Sequence, residues 1–111
     1  MKDWKYKLES EGKALRKLIN KEEKTIENVI AIYEQLIVCL ETWEKKLSES
    51  DKDVWGYGIQ TLIEDLQYAC PDMESEEESE ELSYKNESEN LNYFLRDFYD
   101  MCDGARVLVG I

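Results

Sequence analysis

Residues 25–47 read TIENVIAIYEQLIVCLETWEKKL. Apolar side chains recur there at Ile26, Val29, Ile30, Tyr33, Leu36, Ile37, Leu40, Trp43 and Leu47, in steps of mostly three and four that trace one face of a helix. Ala31, Ile32, Val38 and Cys39 widen the apolar surface onto the flanking faces, leaving Glu34, Gln35 and Glu41 for water. A helix covered on two sides is a central helix, and this one predicts an all-α fold: a small bundle of about four helices packed around it.

Upstream, Trp4, Leu8, Leu15, Leu18 and Ile19 lie on one helical face, with Lys5, Lys13, Arg16 and Lys17 on the wet side, so a basic amphipathic helix is expected over 4–19. Its phase runs on through Gly12, Glu22, Ile26 and Val29 to Leu47, and only Gly12 and Glu22 interrupt that Leu8 to Leu47 seam. One helix of about 40 residues or two helices both satisfy it. We read two, split near Asn20, where Asn-Lys-Glu-Glu offers an N-cap with Glu23 in the capping-box position.

Downstream, Ser50 with Asp53 signals the start of a helix carrying Trp55, Ile59, Leu62, Ile63 and Leu66, which Pro71 ends. Gly56 and Gly58 weaken its first turns by about 1 kcal/mol each relative to alanine, so an irregular start is expected, with tight internal packing beside Trp55 and Tyr57 preferred over close approach of a partner. A last helix is expected from about Ser88 or Asn90 to Asp103, burying Leu91, Phe94, Leu95, Phe98, Met101 and Cys102, with Gly104 as its stop. The apolar tail 105–111 should pack on the bundle or on a second subunit. A lone strand there would lack a partner.

Between these helices lies the compositional extreme of the chain. Asp72, Glu74, Glu76, Glu77, Glu78, Glu80 and Glu81 fall within ten residues, and the polar sequence continues to Glu89. Such a block repels itself, so 72–89 reads as an acidic, flexible connection inside a single domain spanning 1–111. The Asn86-Glu87-Ser88 acceptor pattern is read as chance.

The charge is divided along the chain. Residues 1–47 hold ten Lys or Arg against nine Asp or Glu, whereas 48–111 hold four against seventeen, giving a formal net charge of −12 overall. That charge argues against nucleic acid or an anionic membrane as a direct ligand and favours a basic protein partner. Acids of the second half are interleaved with tyrosines at 57, 68, 84, 93 and 99. Carboxylates can stand where phosphates would in a basic groove, and rigid aromatic rings add contact area at low entropic cost. The residues expected to meet the partner are Asp72, Glu74, Glu76, Glu77, Glu78, Glu80, Glu81, Tyr84, Glu87, Glu89, Tyr93, Asp97 and Asp100.

Signals for chemistry are missing. The chain has no histidine, and it shows no glycine-rich phosphate loop and no close cysteine spacing, so no catalytic residue, metal ligand or cofactor is expected. Carboxylate pairs could still act as acid and base, but adjacent Glu64 and Asp65 diverge by about 100° on a helix. Glu34 and Glu41 share a face two turns apart and are read as solvation of the central helix. Cys39, Cys70 and Cys102 are read as reduced structural thiols. With no apolar leader and no long apolar run, a cytoplasmic protein is expected.

In size, acidity, helical content and lack of catalytic groups the chain resembles bacterial immunity proteins that neutralise toxin nucleases, and phage anti-CRISPR proteins. The resemblance is one of overall character and assigns no role to any single residue. It implies a non-enzymatic inhibitor whose acidic second half blocks the basic cleft of a nuclease. The competing reading is a helical adaptor or structural protein that self-associates, as a homodimer, through the Leu8 to Leu47 seam.

Overall fold

A computed structural model describes residues 4–22, 25–70 and 84–110. The chain is a small helical bundle closed by a two-stranded parallel ribbon: β1 (Tyr6–Leu8), α1 (Glu9–Ile19), α2 (Ile26–Lys46), a short α3 (Glu49–Asp51), a π-helical turn (Lys52–Gly56), α4 (Tyr57–Ala69), α5 (Tyr84–Ala105) and β2 (Val107–Val109). Helix α2 packs against α1, α4, α5 and β1, as expected of a central helix. Its Val29, Tyr33, Leu36, Cys39, Leu40 and Trp43 are buried together with Leu15, Ile59, Leu66, Leu91, Phe98 and Val107. Aromatic rings lock the layers, with Tyr33 meeting Phe94 edge-on at 6.0 Å and Trp43 lying 6.4 Å from Trp55.

The seam is two helices, as the sequence reading prefers. The second helix starts later than expected, however. Thr25 is extended and its side chain accepts the Asn28 N–H at 3.2 Å, making it the N-cap of α2. Asn20 closes α1 instead, its N–H donating to the Arg16 carbonyl at 2.9 Å while the next N–H, of Lys21, donates to the Leu18 carbonyl at 3.3 Å. Asn28 ties the two helices by donating from its side chain to the Leu18 carbonyl at 3.1 Å.

Both ends of the chain depart from expectation. The first helix starts at Glu9, because Tyr6–Leu8 form a strand whose partner is the tail, with Tyr6, Lys7 and Leu8 in register with Val107, Leu108 and Val109. Parallel strands need a long crossover, and here the whole bundle supplies it. The tail strand therefore has its partner within the chain, at the opposite terminus. Gly104 is not the stop of the last helix, which runs one residue further. Arg106 takes the left-handed conformation (φ 60°) after it, and its carbonyl accepts the N–H groups of Lys5 and Tyr6 at 2.8 and 3.2 Å. Gly104 is small for another reason: a Cβ there would stand 3.2 Å from the Trp55 ring.

The start of the third helical region is irregular, as its glycines suggest, yet the cap is Ser48 rather than Ser50, its hydroxyl accepting the Asp51 N–H at 3.3 Å. The final helix begins at Tyr84, four residues before Ser88, so the expected flexible connection is corrected over 84–89, which are helical. Its propensity-poor start is held by packing, since Tyr84 is half-buried against the core. Among the described residues no helix is long and apolar enough to cross a membrane.

Candidate functional site

Helices α4 and α5 run antiparallel side by side, and a groove of about 380 Å³ lies between them. From α4 it is lined by Tyr57, Gly58, Thr61, Leu62 and Asp65, and from α5 by Asp97, Asp100 and Met101. Each contribution follows from helical phase. Leu62 is buried towards α2, so Gly58 and Thr61 fall at its shoulder and Asp65 one turn on. On α5 the buried residue is Phe98, which leaves Asp97 and Asp100 exposed and turns the half-buried Met101 across to α4. The π-helical turn just before Tyr57 holds one residue more per turn than an α-helix and so resets the phase of α4. Tyr57 then stands 81% exposed at the mouth of the groove.

The electrostatics are one-sided. Carboxylates stand on both walls, and among the described residues no Lys or Arg lines the groove. Helix α4 carries Glu64 and Asp65 with no basic residue, and α5 sets Glu87, Glu89, Asp97, Asp100 and Asp103 against Lys85 and Arg96. The neighbouring outer surface adds Tyr68, 93% exposed, and Tyr93, 68% exposed. Tyrosine rings so placed offer an apolar face and a polar hydroxyl to any surface that docks there.

The residues expected from sequence to meet a partner separate into three groups. Asp72, Glu74, Glu76, Glu77, Glu78, Glu80 and Glu81 lie outside the described residues. Tyr84 and Glu87 are half-buried on the first turn of α5, Tyr84 against the core and Glu87 near enough to Tyr33 to help hold that phenol protonated. Glu89 and Tyr93 line a shallow depression with Asn92 and Arg96, where the guanidinium offsets the acid. Among the described residues of that set, Asp97 and Asp100 are the two that line the α4–α5 groove. Asp65, Tyr57 and Gly58 complete that groove and were absent from the expected set. Their signal is present in the sequence: Tyr57, Thr61, Asp65 and Tyr68 follow one another at helical spacing and share the outer face of α4.

Two of the three thiols face inward. Burial pushes the Cys39 thiol up to about 12 and raises that of Cys102 further, so both are protonated and inert at neutral pH. Glu34 and Glu41 are exposed on α2. Among the described residues no group of three or more Cys, Asp or Glu is arranged to hold a metal ion. Comparisons with protein-family models, with curated proteins and with solved structures find no match.

Proposed function

We propose that this chain is a non-enzymatic, cytoplasmic inhibitor that binds a basic protein, in the manner of immunity proteins that neutralise toxin nucleases. The observation that carries this reading is the α4–α5 groove, with Asp65 on one wall, Asp97 and Asp100 on the other and Tyr57 at its mouth. A nuclease cleft is basic because it must hold phosphates. A rigid row of carboxylates meets it with the opposite charge and no scissile bond, and occupies it without turnover. Attraction between such surfaces also speeds encounter by about 10 to 10³-fold at low salt, which suits an inhibitor that must outrun its target.

Self-association through the Leu8 to Leu47 seam has less support. Leu8, Leu15, Val29, Tyr33, Leu36, Leu40, Trp43 and Leu47 are buried inside the single chain and leave no apolar stripe for a second copy.

The test is capture of bound protein from the native host at low and high salt, identification by mass spectrometry, and assay of the captured protein for nuclease activity with and without this chain. A basic protein held at low salt, released at high salt and inhibited stoichiometrically is the expected result. Recovery of no basic protein at low salt, or a captured nuclease whose activity is unaffected, overturns the reading.

A further inference from the structure

The α4–α5 groove differs in chemistry between floor and rim. Leu62 is buried in its floor beside Met101, and Gly58 gives the groove its depth: a Cβ at that position would stand 3.6 Å from the Met101 methyl, so any longer side chain would fill the space. Around this apolar floor stand the carboxylates of Asp65, Asp97 and Asp100, the Thr61 hydroxyl and the face of an exposed tyrosine. A purely electrostatic contact needs no such floor, and a purely apolar one would not be ringed by acids. One kind of side chain joins a long apolar stem to a flat cationic head.

We propose that the groove is an anchor site for an arginine side chain carried by the basic partner, with its methylene stem on Leu62 and Met101 and its guanidinium among Asp65, Asp97 and Asp100. This rests on the inhibitor reading above and names the chemistry of the contact. Charge complementarity selects a cation, because no basic side chain among the described residues shares the groove. The choice of arginine over lysine follows from geometry. A guanidinium offers five donors in a rigid plane and can serve carboxylates on two walls at once, while its faces stack on an aromatic ring such as Tyr57. An ammonium is a compact, strongly hydrated charge that satisfies one carboxylate and gains little from the ring.

The experiment titrates the ¹⁵N-labelled full chain with three blocked tripeptides, Gly-Arg-Gly, Gly-Lys-Gly and the uncharged Gly-citrulline-Gly, and follows backbone amide shifts. With the arginine peptide, shifts should concentrate at 57–65 and 97–101. The lysine peptide should bind at least about fivefold more weakly, and the citrulline peptide should leave the groove unmoved. Gly58→Leu fills the groove while replacing a poor helix former by a good one, so it should fold at least as well and still lose binding by about tenfold. Asp97→Asn should lose a similar factor with no change in shape, and Glu34→Gln on α2 should lose none. Equal binding of lysine and arginine, shifts confined to other surfaces, or undiminished binding by Gly58→Leu would each overturn the arginine anchor. Failure of the two ideas is separable. A basic protein whose salt-sensitive capture is indifferent to Gly58→Leu removes the anchor and leaves the inhibitor, whereas an arginine-selective groove with no basic protein captured removes the inhibitor.

Discussion

Gly12 in α1 and Gly110 after β2 meet backbone against backbone: a Cβ on Gly12 would fall 2.6 Å from a Val109 methyl, and one on Gly110 would fall 2.7 Å from the Gly12 carbonyl oxygen. Neither position can hold a side chain, so the residue that interrupts the apolar seam in α1 is what lets the tail strand lie on that helix. Gly12→Ala should destabilise the chain by about 1–3 kcal/mol through overpacking. Gly110→Ala should cost more, because φ of +64° adds a backbone penalty of about 1–2 kcal/mol for a residue with a Cβ. Urea unfolding monitored by circular dichroism checks both. An unchanged midpoint in Gly12→Ala would mean that the tail does not rest there.

Asp51 ties the N-terminal strand to the short helix before α4. Its carboxylate accepts from Lys5 Nζ at 2.8 and 3.1 Å and from the Tyr6 hydroxyl. These partners, Lys5 first, hold the Asp51 carboxyl below its usual value, and Asp51 in turn raises the Lys5 ammonium. The signs give a window of stability. The Asp51 contribution is complete above the ordinary carboxylate range and is lost as pH falls through the lowered value, while the Lys5 contribution is lost as pH rises through its raised one. The difference in unfolding midpoint between wild type and Asp51→Asn should therefore be greatest near neutrality and shrink towards both acid and strong alkali. A difference independent of pH would contradict the tie.

Tyr33 is fully buried with its hydroxyl unpaired among the described residues, and burial pushes that phenol up to about 12. An unpaired buried hydroxyl costs about 1–3 kcal/mol in desolvation. Tyr33→Phe should then leave stability unchanged or raise it, keeping the ring contact with Phe94, whereas Tyr33→Ala should lose about 3–5 kcal/mol by analogy with other large aromatic truncations. Thermal unfolding of the pair separates the two effects. A clear loss in Tyr33→Phe would reveal a hydrogen-bond partner.

The thiols should be graded by burial. Cys39 and Cys102 are enclosed in the core and held protonated, and Cys70 is half-buried at the end of α4. Because the folded-state values of the core pair lie above the ordinary thiol value, their contribution to stability is full below that value and is lost as pH rises towards the folded one. At neutral pH a disulfide reagent should modify Cys70 first, and Cys70→Ser should remove the fast phase. Fast modification of all three would indicate that the core opens readily.

The central helix was legible because a 21-residue amphipathic run has no competing interpretation, whereas the split of the seam was half legible: the rarity of long uncapped helices favours two, but the cap is Thr25 and not Asn20. What escaped was non-local. Trp4 and Leu8 sit four apart, which fits a helix face as well as a strand, and only the tail at the opposite terminus makes Tyr6–Leu8 extended. Gly104 carried the local signature of a helix stop, but its size is required by Trp55 nearly 50 residues earlier. The groove was half legible for the same reason. Asp97 and Asp100 declared themselves as exposed acids, whereas Asp65 and Tyr57 join them only through the antiparallel docking of α4 on α5 and the π-helical turn that sets its phase.

Helix-borne carboxylates that oppose a basic partner are the core of the functional account, and neutralising them without altering shape tests it most directly. The measurement is the affinity and association rate of the captured basic protein for wild type and for the Asp65→Asn, Asp97→Asn, Asp100→Asn triple variant at low and high salt. The expected result is a loss of at least about tenfold at low salt, carried largely by slower association and narrowing as salt screens the wild-type charges. Equal affinity and equal salt dependence of the two proteins would contradict the account.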